Sequence, residues 1–185
     1  MGAQGEPQRE PRRELDEDTI AFAGKLFHWA RSGGTAELTE LLEMGLPPNL
    51  RNDKGDSLLM LASYHGHAEL ARNLMRHGAD PELANDRGQT PLAAAAFKGD
   101  EAVLRVLLEE GAAVDGCGPD GRTALMTAAM FDRVGMVEVL LARGADPDAR
   151  DARGLTAREA ALAMGAANAA ARLESARLAS GGQAG

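Results

Sequence analysis

Gly55, Gly88, Gly121 and Gly154 stand 33 residues apart, and Gly45, Gly78, Gly111 and Gly144 repeat the same interval. The hydroxyls Ser57, Thr90, Thr123 and Thr156 keep that register, and so do the small residues Ala62, Ala95, Ala128 and Ala161. One period held by independent residue types marks an array in which a short unit is copied and stacked. A chain of 185 residues is long enough for one such array with a proper core. Composition names the material: 36 Ala and 24 Leu stand against six Val and one Ile, so the residues that fill pleated strands are scarce. Ala and Leu favour short, close-packed helices, and 22 Gly supply regular chain reversals between them.

The unit around Thr90 shows the physics. The Thr90 hydroxyl is placed to cap a helix, and Pro91 sits at the first helical position, where no amide hydrogen is needed. That helix ends near Gly99. A second, antiparallel helix carries Val103, Val106, Leu107 and Leu108, and Gly111 closes it in the left-handed conformation. Asn85-Asp86-Arg87-Gly88, like Asn52-Asp53-Lys54-Gly55, has the chemistry of a tight turn projecting between units. A helix pair with one apolar face has to stack on neighbours.

Asp86-Arg87-Gly88-Gln89-Thr90-Pro91-Leu92, continuing through Ala93 to Phe97, Gly99, Val103 to Leu108 and Gly111-Ala112, closely resembles the ankyrin repeat. Gly78-Ala79-Asp80 and Gly144-Ala145-Asp146 give the family's closing triplet in full. The resemblance implies an all-α ankyrin-repeat solenoid of five helix-turn-helix units, near 19–51, 52–84, 85–117, 118–150 and 151–178. The repeat domain is expected over 15–178, between disordered tails at 1–14 and 179–185. In the first unit Gly24-Lys25-Leu26 replaces Thr-Pro-Leu and Trp29 replaces the small Ala, which suits a bulky cap. In the last, Arg158 and Glu174 stand where other units carry apolar residues, so nothing is expected to pack beyond them.

A net charge of −8 repels phosphate backbones and anionic lipid, which argues against nucleic acid and membrane as partners. Cys117 is the lone cysteine, and the first twenty residues hold no apolar run of the secretory kind, so a cytoplasmic chain is expected. Candidate chemistry is sparse. Gly116-Cys117-Gly118-Pro119-Asp120-Gly121 spells a GxGxxG, yet no strand precedes it and Gly121 belongs to the repeat register. His65, His67 and His77 invite a metal, but Gly66 is expected to turn the first two rings in different directions. Cys117 reads as an accessible thiol with no cation beside it to activate it. Ser57 lies in no nucleophile elbow, and the pair Glu109-Glu110 reads as solubility on a solvated face. Neither an enzyme nor a cofactor is expected.

What remains is surface. The resemblance implies that the residues after the first helix's Ala-Ala pair, with the projecting turns, line the concave face. The first of these positions holds Arg31, Tyr64, Phe97, Met130 and Ala163; the next holds Ser32, His65, Lys98, Phe131 and Met164. Tyr64, Phe97 and Met130, with Phe131 beside them, form an apolar stripe in a chain only 3 % aromatic. His65 and Lys98 add polar contacts, and Asp53, Lys54, Asp56, Asp86, Arg87, Gln89, Asp120 and Arg122 form a mixed-charge rim. The alternative is that these side chains pack against their own turns and only shield the groove. The expected function is binding of a partner protein, as adaptor or inhibitor, by a chain monomeric alone. Self-association through the same stripe, or a metal- or thiol-dependent activity, is the rival.

Overall fold

The computed structural model describes residues 17–181. They form ten helices: α1 (Glu17–Ser32), α2 (Thr35–Glu43), α3 (Leu58–Tyr64), α4 (Ala68–Arg76), α5 (Pro91–Lys98), α6 (Glu101–Glu109), α7 (Ala124–Met130), α8 (Val134–Ala142), α9 (Ala157–Ala163) and α10 (Ala167–Gly181). The expected N-terminal tail lies outside the described residues, and α10 runs past the boundary drawn at 178. Among the described residues the extended backbone amounts to an isolated antiparallel bridge between Arg51 and Ser57. The fold is the helical solenoid expected from the period.

The inner helices of the second to fifth units start on the hydroxyl of the repeat register. Ser57, Thr90, Thr123 and Thr156 each have extended backbone and accept a hydrogen bond from the amide three residues on, at 3.0, 3.3, 3.2 and 3.3 Å. Glu159 returns the bond to the Thr156 amide at 2.8 Å, completing a capping box. Gly99 ends α5 at φ 74°, and Gly111 follows α6 at φ 102°. The first unit differs from the expected start: α1 begins at Glu17, so Gly24 lies inside the helix instead of at its beginning.

The odd-numbered helices stack in one layer and the even-numbered in another, with denser contact in the odd layer. Side-chain size accounts for the difference. Ala62, Ala95, Ala96, Ala128, Ala129 and Ala161 have no exposed surface and let inner helices approach closely, whereas Leu70, Leu74, Leu104, Leu107 and Leu140 fill the space between layers. Trp29 covers Gly34 at the N-terminal end. At the other end Arg158 and Glu174 neutralise each other across 3.0 Å. Glu109 and Glu110 do more than solubilise: Arg72 reaches both, at 2.9 and 2.6 Å, Arg76 reaches Glu110 at 3.1 Å, and Arg143 approaches Glu109 at 3.9 Å. These pairs clasp α4, α6 and α8 along the outer layer.

Candidate binding groove

The turns stand clear of the inner helices because asparagine and aspartate side chains fold them. Asn52 Oδ1 accepts from the amides of Lys54 and Asp56, and Asn85 Oδ1 accepts from those of Arg87 and Gln89. Asp151 does the same for Arg153 and Leu155. Neighbouring turns are then joined: the Asn85 amide donates to Asp56 Oδ1 at 2.8 Å, and the Asp86 N–H donates to the Lys54 carbonyl at 3.2 Å. Asp56 is therefore buried and serves as a brace, set back from the rim on which the sequence places it.

Between turns and inner helices lie two adjoining cavities. One, of about 200 Å³, is lined by Lys54, Asp56, Tyr64, His65 and Arg87 together with Arg31, Met60 and Leu61. The other, of about 120 Å³, takes in Gln89, Phe97, Asp120, Arg122, Met130 and Phe131. Most of the residues singled out in the sequence thus line one or other of these two cavities, which together we call the channel. Asp53 and Lys98 are exposed beside it, and exposed Asp86 pairs with Arg51 at 3.4 Å.

The stripe is continuous. The Tyr64 and Phe97 rings are stacked, with centroids 6.2 Å apart and planes at 17°, and Phe97 meets Phe131 edge to face at 4.6 Å and 86°. Tyr64, Phe97 and Met130 are half-buried, and Phe131 is 43 % exposed. Lys98 Nζ stands 5.0 Å from the Tyr64 ring centre, and His65 meets that ring edge-on at 5.3 Å. Partial burial, and then the charges of His67, Arg31 and Lys98, hold His65 below the ordinary imidazole value. In the last unit Leu162 and Met164 are also exposed, at 53 and 55 %. Arg31, Leu162 and Met164 are absent from the rim and stripe chosen by sequence; the register that selects Tyr64 and Lys98 also points to Arg31 and Met164.

The histidines are occupied otherwise. His67 Nε2 donates to the Arg31 carbonyl at 2.8 Å, bridging the first two units, and His77 Nδ1 donates to the Asn73 carbonyl at 2.8 Å. The His65 and His67 rings do not diverge as the turn suggests. Gly66, at φ 84°, folds the chain back so that they lie parallel with centroids 6.5 Å apart. No group of three or more His, Cys, Asp or Glu suited to a metal ion occurs among the described residues. The GxGxxG glycines serve packing: a Cβ at Gly118 would overlap the Gly88 carbonyl oxygen, and Gly121 turns at φ 68°. Cys117 is an exposed thiol. No helix among the described residues is long and apolar enough to cross a membrane.

Comparison with known proteins agrees with the geometry. A stretch of 62 residues is 63 % identical to an ankyrin repeat protein of Pseudomonas aeruginosa, covering 34 % of this chain and 36 % of that protein. The match therefore spans about a third of the relative's length. The family model for ankyrin repeats in three copies matches residues 26–115 and again 59–151, well over half of the chain. Ankyrin repeats are generally protein–protein interaction modules and typically not enzymes. With its capped helix pairs, projecting turns and 33-residue register, the chain belongs to the ankyrin-repeat family.

Proposed function

We propose that this chain binds a partner protein through the channel between its turns and inner helices, acting as an adaptor or inhibitor. The observation that carries this reading is the unbroken aromatic ladder Tyr64–Phe97–Phe131, which crosses three units and stays open to solvent at Phe131. Apolar side chains gathered in a row and rimmed by charge are what the core of an interface is made of. The helices beneath form a rigid support, so the rings are presented without the ordering cost a flexible loop would carry. Tyr64, Phe97 and Met130 act as anchors, His65 and Lys98 as flanking contacts, and Lys54, Arg87, Gln89, Asp120 and Arg122 as the orienting rim.

The test replaces Tyr64, Phe97 and Met130 together with Ser. The expected result is preserved helicity with loss of native-partner capture from the source lysate. Undiminished capture by a helical variant overturns the reading. Light scattering over a concentration series separates heterologous binding from self-association: a dimer that the triple variant dissolves would assign the channel to a second copy of this chain.

A further inference from the structure

The charges around the channel are less often paired than those of the outer layer, although Arg122 in the channel meets Asp120 at 3.7 Å and Lys25, Arg133 and Arg177 elsewhere also lack an ion pair among the described residues. In the outer layer Arg72, Arg76, Arg105, Arg143 and Arg172 each meet a carboxylate within ion-pair distance. In the channel Arg31, Lys54 and Arg87, and beside it Lys98, have no ion pair with any carboxylate among the described residues, although the chain carries 28 Asp and Glu against 20 Lys and Arg. Asp56, the acid that lines the same cavity, is engaged by the Asn52 and Asn85 amides at 3.3 and 2.8 Å. Cations without an ion pair thus gather where the apolar stripe begins, and outnumber the negative charges of Asp56 in that cavity and Asp53 beside it. Like charges gathered beside a low-dielectric wall repel one another, and a counter-charge from outside relieves that repulsion.

Resting on the groove reading above, we propose that the occupant is an acidic segment of the partner protein, with carboxylates seated among Arg31, Lys54 and Arg87 and an apolar side chain on Phe97 and Phe131. The cavity of about 200 Å³ suits a carboxylate side chain, and the neighbouring one of about 120 Å³ opens onto both phenylalanine rings. The order is directional: charge lies toward the N-terminal units and apolar contact toward the C-terminal ones, so a bound segment carries its acids and its hydrophobe in a fixed sense along the channel. His65 reports on the site. Arg31 from α1, Lys98 from α5, and Lys54 and Arg87 from the turns surround it with positive charge, the His67 ring lies beside it, and Asp56, held by the Asn52 and Asn85 amides, is the carboxylate lining the same cavity. Seating of carboxylates among them favours the imidazolium and moves its titration upward.

The experiment selects short random peptides displayed on phage against the full chain and synthesises those that bind. Expected are sequences rich in Asp and Glu next to Leu, Phe or Trp. The variant carrying Arg31→Ser, Lys54→Ser and Arg87→Ser together should bind them at least about tenfold more weakly at about 0.1 M salt, and the gap should narrow toward 1 M as charges are screened. The His65 ring resonances, followed by NMR, should titrate at higher pH with peptide bound. Circular dichroism checks that the variant folds, and Lys54→Ser with Arg87→Ser alone is the fallback. Selected peptides that are neutral or basic yet lost on the Tyr64, Phe97 and Met130 variant overturn the charge inference and leave the groove standing. Peptides indifferent to both variants overturn both readings. Failure to select any peptide, or cation-dependent binding of double-stranded DNA without acidic-peptide binding, overturns an acidic protein segment as occupant.

Discussion

Asp132 stands in a register otherwise held by Gly33, Gly66, Gly99 and Gly165, all at positive φ, and adopts φ 54° itself. A side chain in the left-handed region is strained unless something nearby repays it. Here the carboxylate crosses to the next unit: Oδ1 accepts the Ala169 N–H at 2.8 Å and Oδ2 accepts the Asn168 side-chain amide at 2.7 Å, capping α10. The Ala169 backbone bond first, then the Asn168 amide, hold the Asp132 carboxyl below the usual aspartate range. Because the folded state favours the charged form, the stabilisation is complete above the unfolded value of about 3.9 and drains away as pH falls through the lower folded value. Asp132→Asn tolerates the backbone but lacks the charge. Its midpoint in urea should fall below that of the parent at neutral pH, with the two converging as the solution is taken toward pH 2. Glu110, Asp151 and Glu159, also lowered, titrate in both proteins and cancel. Curves that stay parallel into acid would deny Asp132 this role.

At the level of the helix, what could be read from the residues depended on whether local chemistry decided the outcome. Capping is local, so Ser57, Thr90, Thr123 and Thr156 announced four helix starts that occur as expected. The register also carried Tyr64, Phe97 and Met130 to one groove, since equivalent positions in stacked units are neighbours by construction, and Phe131 follows Met130 by one residue to meet Phe97. Long-range pairing left no such sign. The Arg72–Glu109–Glu110 cluster joins residues more than a unit apart, and the burial of Asp56 depends on the neighbouring turn's Asn85. Helix α1 escaped the register because no hydroxyl stops it, and it grows back to Glu17 with Gly24 inside it and open space where a Cβ would sit. Gly24→Ala should therefore stabilise the chain by about 0.5–1 kcal/mol, through reduced freedom of the unfolded state and better helix propensity. Chemical denaturation checks it, with a raised midpoint and an unchanged slope expected; a lowered midpoint would show that Gly24 is needed for packing.

For the array as a whole, stability is a sum of unit and interface terms, so the weakest interface sets where it opens. We place that interface between the third and fourth units on the outer layer, although α5 and α7 stay closely packed there and the Asp146 N–H reaches Asp115 at 3.1 Å. The turn-to-turn hydrogen bonds from Asp86 to Lys54 and from Ala152 to Asp120 have no equivalent there, because Pro119 occupies the donor position and has no N–H. Contact between α6 and α8 is sparser than between other neighbours in the outer layer, and the ion pair across it, Arg143 to Glu109, is stretched to 3.9 Å. The fourth and fifth units are tied more firmly to each other, by the Asp132 cap and by Arg172–Glu138 at 3.1 Å. Once detached, two units alone bury too little apolar face to persist. Hydrogen exchange in mild urea should accordingly show α7 to α10 losing protection together, ahead of α3 to α6. Fraying of α9 and α10 alone, or simultaneous loss everywhere, would place the weak point elsewhere. The Phe97–Phe131 contact spans this same interface, so a ligand seated on both rings closes it. Adding a groove-binding peptide should raise protection in α7 to α10 more than in α3 to α6, because only the former depend on the junction the ligand bridges.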